Sequence, residues 1–140
     1  MRRTPLSLLL SVPLSLVLAL GLGVVSAPAG AADQGPPLSP SPAALSASLT
    51  CHGDLAGATA TPVLLVPGTT LTPEVNFSWN YEKVFSARGR PWCAVTLPNH
   101  AMSDIQVAGE YVVNAVRTMH ERAGRRISVV GFSQGGMVPR

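Results

Sequence analysis

A parallel α/β fold is what this sequence predicts, and three observations carry the prediction. Residues 62–66 are a short apolar run without polar alternation, the composition of a strand buried on both faces, and 92–97 and 127–130 read as two further strands. Helical periodicity lies between them, most clearly at Ile105, Ala108, Val112, Ala115 and Met119, which recur at steps of three and four residues. Loops bearing glycine or proline separate the runs. Strand, loop, helix, strand, helix, strand, helix is the order built from right-handed crossovers.

Residues 1–32 are expected to stand apart from the fold as a signal peptide. A basic start, Arg2-Arg3, precedes the apolar stretch 6–25, and small residues from Ala27 to Ala32 offer A-x-A cleavage spacing. An uncleaved membrane anchor is the alternative, since the stretch is near spanning length; Pro13 and the alanine-rich end favour cleavage. Export to a secreted location, without stable membrane insertion after cleavage, is the expectation. Residues 33–48, rich in Pro, Ser, Ala and Gly, are expected to be a flexible arm. The domain proper then spans 49–140.

Within it, Pro62-Val63-Leu64-Leu65-Val66 reads as a strand, broken by the loop Pro67-Gly68-Thr69-Thr70. A helix is expected over 77–87, closed by Arg88-Gly89, then a strand over 92–97 ended by Pro98-Asn99. Ser103-Asp104-Ile105-Gln106 fits a capping box for the long helix. Ala123-Gly124 stops that helix, with Arg125 and Arg126 on the negative end of its dipole. Residues 127–130 form the last strand, and 134–140 are expected to begin a helix that Pro139 kinks.

Composition narrows the function. The 140 residues carry 10 Lys and Arg against 7 Asp and Glu, a net charge of +3. Removing Arg2 and Arg3 with a signal leaves 8 against 7, so the basic balance belongs partly to the leader. No basic stripe with interleaved aromatics is present, so nucleic-acid binding has no support. No metal-ligand cluster and no cofactor motif is visible. The two cysteines, Cys51 and Cys93, suggest one disulfide in an exported chain, with two unrelated thiols as the alternative. Such a bridge closes a loop of about 43 residues and stabilises by roughly 4 kcal/mol.

The chemistry concentrates at Gly131-Phe132-Ser133-Gln134-Gly135, directly after the last strand. A Gly-x-Ser-x-Gly run between a strand and a helix is the nucleophile elbow of α/β-hydrolases. The glycines, Gly131 and Gly135, let strand and helix approach around a tight turn that exposes Ser133. An acyl-transfer serine also needs oxyanion donors and a base. The Gln134 amide follows the nucleophile. A second donor is expected from the loop after the first strand, where Thr69 offers an amide and a hydroxyl; Thr69 or Thr70 merely capping a turn is the alternative. No base is evident. His52, His100 and His120 all precede Ser133, whereas in this fold the acid and the histidine follow the serine. Asp104 reads as a first-turn acid of the long helix.

Leu49-Thr50-Cys51, the run 62–69, Pro91-Trp92-Cys93, the run 110–115 and Phe132-Ser133-Gln134-Gly135-Gly136 together resemble the secreted lipases of the Candida antarctica lipase B type. The likeness runs in order from about Leu49 to Val138, and extends over about the first half of such a lipase. It implies an α/β-hydrolase fold truncated after the nucleophile elbow, and a triacylglycerol lipase or esterase acting on ester or lipid substrates, with a lipid–water interface as a possible place of work. It implies Ser133 as nucleophile, Thr69 and Gln134 as the oxyanion hole, and a Cys51–Cys93 disulfide. It places Phe132 in the pocket lining, where the yeast enzyme has a tryptophan, so stereopreference does not carry over. The triad acid and base of such lipases have no counterpart among these residues. The chain by itself is therefore expected to show almost no turnover. Two other readings stand beside this one: a non-catalytic secreted module that binds lipid or a partner, and another hydrolase such as a cutinase or polyester depolymerase.

Overall fold

A computed structural model describes residues 35–140; the expected signal segment, 1–32, lies outside the described residues. Four strands, β1 (Leu49–His52), β2 (Val63–Val66), β3 (Trp92–Val95) and β4 (Ser128–Gly131), form one sheet in the order β1-β3-β2-β4. The three expected strands are β2, β3 and β4, and β2 pairs in parallel with each of the other two. β1 lies outside the sequence expectation. It runs antiparallel to β3 in the register Leu49↔Val95 to His52↔Trp92, which sets Cys51 directly opposite Cys93. The Cys51–Cys93 disulfide forms there, with the Cα atoms 4.0 Å apart.

Alternation along the strands divides the core in two. Leu64, Val66, Cys93 and Val95 face α4 (Ile105–Ala123) and pack with its Ala108, Val112, Ala115 and Met119. Val63, Leu65, Trp92 and Ala94 face the opposite side and pack with Phe77 and Phe85. Both inner strands are buried at every residue, as their unbroken apolar runs require, whereas β1 and β4 alternate between half-buried and exposed residues. β4 has no partner on its outer edge among the described residues. No helix among them is long and apolar enough to cross a membrane.

The long helix follows its periodicity closely, and Gly124 closes it in the left-handed conformation at φ 62°. Its start differs from the expected capping box. Asp104 is the N-cap, its Oδ1 accepting from the Gln106 amide at 2.7 Å, and Ile105 is left 46% exposed at the first turn. The helix expected over 77–87 is two helices, α2 (Pro73–Phe77) and α3 (Tyr81–Ala87). Thr72 caps α2 and Pro73 opens it, a pairing that suits a helix start. The Asn80 side chain accepts from the Tyr81 amide, an Asx-type bond that competes with helix continuation and separates the two. Residues 134–140 form no α-helix. A 3-10 turn, Ser133–Gly136, stands there instead, because a short segment with adjacent glycines and Pro139 does not offset the cost of helix nucleation.

Part of the 33–48 segment is ordered. Pro42–Ala47 forms a helix, α1, capped by Ser41 Oγ accepting from the Ala44 amide at 3.2 Å. Leu45 is buried, Asn114 Nδ2 donates to its carbonyl at 3.4 Å, and Ser39 donates through its amide and hydroxyl to Glu110 Oε2 at 2.5 and 2.6 Å. These contacts hold the segment against α4. Leu45→Ala is accordingly expected to lower unfolding free energy by about 2–3 kcal/mol, measured by urea denaturation. A flexible arm would show no change.

Candidate functional site

Ser133 stands where β4 turns back. The Phe132 amide continues the parallel ladder by donating to the Val66 carbonyl at 3.0 Å, and Ser133 then takes a left-handed φ of 52°. The 3-10 turn follows at once, leaving the Ser133 side chain exposed. A non-glycine residue at positive φ is strained and persists only where its surroundings impose it. Here two close backbone approaches impose it. A Cβ on Gly131 would stand 2.0 Å from the Gly135 carbonyl oxygen, and one on Gly135 would stand 2.3 Å from the Val66 carbonyl oxygen. The sharp turn is built around both missing side chains.

The loop after β2 abuts this turn. A Cβ on Gly68 would lie 3.1 Å from the Ser133 Cβ, so the Gly68 backbone passes directly beside the serine. Thr69 Oγ1 donates to Gln134 Oε1 at 2.5 Å and ties loop to elbow. Thr69 therefore does more than cap a turn; the cap of α2 is Thr72. Among the described residues the backbone amides of Thr69 and Gln134 meet no acceptor, whereas the amides on either side of Thr69 are engaged. Gly68 N–H donates to Asn76 Oδ1 at 3.1 Å, and Thr70 N–H donates to the His100 carbonyl at 2.7 Å. Two N–H groups without acceptors among the described residues thus sit in adjoining segments beside Ser133. The sequence reading does not single out Asn76, because a lone Asn inside a short helix carries no motif.

Phe132 is 53% exposed and lines a cavity of about 340 Å³ with Leu71, Val75, Phe77, Trp79 and Val130. The cavity is mainly apolar, with Asn76, Asn80 and Tyr81 also in its wall, and lies beside the elbow, between β4 and the α2–α3 pair.

Among the described residues no histidine is hydrogen-bonded to Ser133. His52 stacks on Trp92 with ring centroids 4.1 Å apart. His120 Nδ1 lies 2.9 Å from the Arg125 carbonyl oxygen at the far end of α4. His100 sits between Asn99 and Ala101 in a run of three left-handed residues, φ 47°, 52° and 61°, and presents its carbonyl to Thr70. Among the described residues no side chain is hydrogen-bonded to the Ser133 hydroxyl. Burial raises the Glu82 carboxyl above its ordinary value, with His52 opposing the shift and Glu74 adding to it. Those groups line a separate cavity with Thr50, Trp92 and Thr96.

The chain is 36% identical over 95 residues, 67% of its length, to lipase B of Pseudozyma antarctica, and is homologous to it over that stretch. Its structure superposes on the crystal structure of Aspergillus fumigatus lipase B with a TM-score of 0.70 and 25% identity, covering 77% of this chain. It spans 28% of the length of the first and 26% of the second, rather than the half that the resemblance suggests. No protein-family model matches the chain. The fold is that of part of an α/β-hydrolase, and the homology is to lipases.

Proposed function

We propose that these residues are the nucleophile-bearing N-terminal part of a secreted serine carboxylic-ester hydrolase of the lipase type, acting on ester or lipid substrates. The observation that carries the proposal is Ser133 at φ 52° beside two backbone amides without acceptors among the described residues, those of Thr69 and Gln134. Lipase homology over 67% of the chain supports the substrate class. In this reading Ser133 Oγ attacks the ester carbonyl, the carbonyl oxygen takes the charge, and the Thr69 and Gln134 N–H groups stabilise it. The Thr69 hydroxyl, held by Gln134 Oε1 in the resting state, is free to turn toward the same oxygen. The alcohol portion of the substrate lies against Phe132 and its apolar cavity. Residues 1–32 direct export, which suits a chain stabilised by a disulfide.

General base catalysis contributes about two to four decades of rate, and among the described residues no imidazole is hydrogen-bonded to Ser133. In this reading the 140 residues by themselves are expected to show almost no turnover. Purified chain assayed on p-nitrophenyl butyrate is expected to turn over no faster than its Ser133→Ala variant. Turnover that depends on Ser133 would contradict the missing base. A binding module is the weaker reading, because a left-handed serine in a turn closed around two glycines adds nothing to passive lipid binding.

A further inference from the structure

We infer that Asn76 is the positioning residue of the oxyanion loop: its side chain takes the Gly68 amide so that Thr69 N–H alone faces the reacting centre. The inference rests on the roles proposed above for Ser133 and Thr69. Three successive amides run through this loop. Gly68 N–H is held by Asn76 Oδ1 at 3.1 Å from one side and Thr70 N–H by the His100 carbonyl at 2.7 Å from the other. Only the middle one, Thr69 N–H, is without an acceptor among the described residues. A peptide pinned at both neighbours has little freedom to rotate, so the direction of the Thr69 N–H vector is set before substrate arrives.

Asn76 is itself fixed at every polar group the loop depends on. Its amide donates to the Thr72 carbonyl at 3.0 Å, and its carbonyl accepts from Asn80 Nδ2 at 3.1 Å. The residue as a whole is only 8% exposed, and the bond from Gly68 N–H to its Oδ1 is buried. The donor it faces also fixes its orientation, since a flipped amide would set N–H against N–H. Gly68 in turn has no room to shift toward the elbow, because even a Cβ there would lie 3.0 Å from the Phe132 ring. The loop is gripped between Asn76 on one side and the elbow on the other. Thr70 is held in a left-handed conformation, φ 67°, by the same bracket.

The test supplies the missing base from solution. Imidazole accepts the Ser133 hydroxyl proton, the Oγ–acyl bond forms, the aryl ester bond of p-nitrophenyl acetate breaks, and p-nitrophenolate leaves. Acetyl-Ser133 is quantified over time by mass spectrometry on the full chain and on Asn76→Ala and Asn76→Asp. Asn76→Ala is expected to slow Ser133 acetylation by about ten- to a hundredfold. Asn76→Asp keeps an oxygen acceptor for Gly68 N–H and is expected to stay within about threefold of the unsubstituted chain. Amide hydrogen exchange on the same samples should show Gly68 deprotected in the alanine variant and protected in the aspartate variant. Equal acetylation of Asn76→Ala and the unsubstituted chain overturns the positioning role while leaving the nucleophile assignment intact. Equal slowing in both variants, despite a protected Gly68 in the aspartate form, overturns it as well. Absence of acetyl-Ser133 in the unsubstituted chain overturns the nucleophile assignment, and the positioning role with it.

Discussion

Replacing Gly131 with alanine is expected to cost about 3 kcal/mol or more of unfolding free energy, and to prevent the Ser133 turn from closing. The new Cβ would meet the Gly135 carbonyl oxygen at 2.0 Å, its carbon at 2.4 Å and the Gly136 nitrogen at 2.6 Å. All three are backbone atoms, so no side-chain rotamer relieves the overlap. Relief has to come from moving β4 away from the 3-10 turn. That motion would loosen the parallel pairing of Val66 with Gly131 and displace Ser133 from its left-handed conformation. Gly109→Ala provides the contrast. It lies in the interior of α4, where a Cβ meets only Val138 Cγ1 at 3.9 Å. Alanine there should raise stability by about 0.5–1 kcal/mol through helix propensity. Urea denaturation of the two variants checks both signs; a Gly131→Ala chain as stable as the parent would show that the turn is not built as described.

Removing the disulfide is expected to have an effect of similar size. Cys51→Ala with Cys93→Ala should lower stability by about 3–4 kcal/mol, because the bridge closes a separation of 42 residues. The bond matters more than its loop length suggests. β1 is a four-residue antiparallel edge strand, and one short edge pairing alone holds poorly. The bridge joins residues that are already directly opposite in the register, so it locks β1 to β3 at that point. Cys93 is fully buried against the α4 face, and alanine there also loses packing. Denaturation midpoints of the oxidised parent and the double variant decide the matter. Coincident midpoints would mean that the edge strand holds by itself.

The parts of the fold that were legible in the sequence are those whose signal is local and strong. The inner strands β2 and β3 announce themselves as unbroken apolar runs because both faces are covered. α4 is legible because Ala108, Val112, Ala115 and Met119 all reach the same buried face. The parts that were not legible depend on partners distant in sequence. Leu49-Thr50-Cys51-His52 alternates weakly and becomes a strand only by pairing with β3. α1 buries a single leucine, too little for a periodic pattern, and its Ser41-Pro42 start is hidden in a proline-rich stretch. The break between α2 and α3 turns on one Asn side chain choosing a local bond over helix continuation.

The site divides along the same line. Gly131, Ser133 and Gly135 are contiguous, so the motif predicts a close turn, and the close approaches are there. Thr69 is distant in sequence, but the hydrolase topology places the loop after the first parallel strand next to the elbow, and the Thr69–Gln134 bond joins them. Asn76 and the His100 carbonyl are beyond such reasoning. They act on the loop through one side-chain oxygen and one backbone oxygen, and neither leaves a sequence pattern.

Time-resolved mass spectrometry of the 140-residue chain with p-nitrophenyl acetate, with and without imidazole, tests the central claim most directly. The claim is that Ser133 is a preorganised nucleophile that lacks only its base. It predicts acetyl accumulation at Ser133 that rises with imidazole concentration and vanishes in Ser133→Ala. Acetylation spread over other serines and lysines, with Ser133 no faster than the rest, would contradict it.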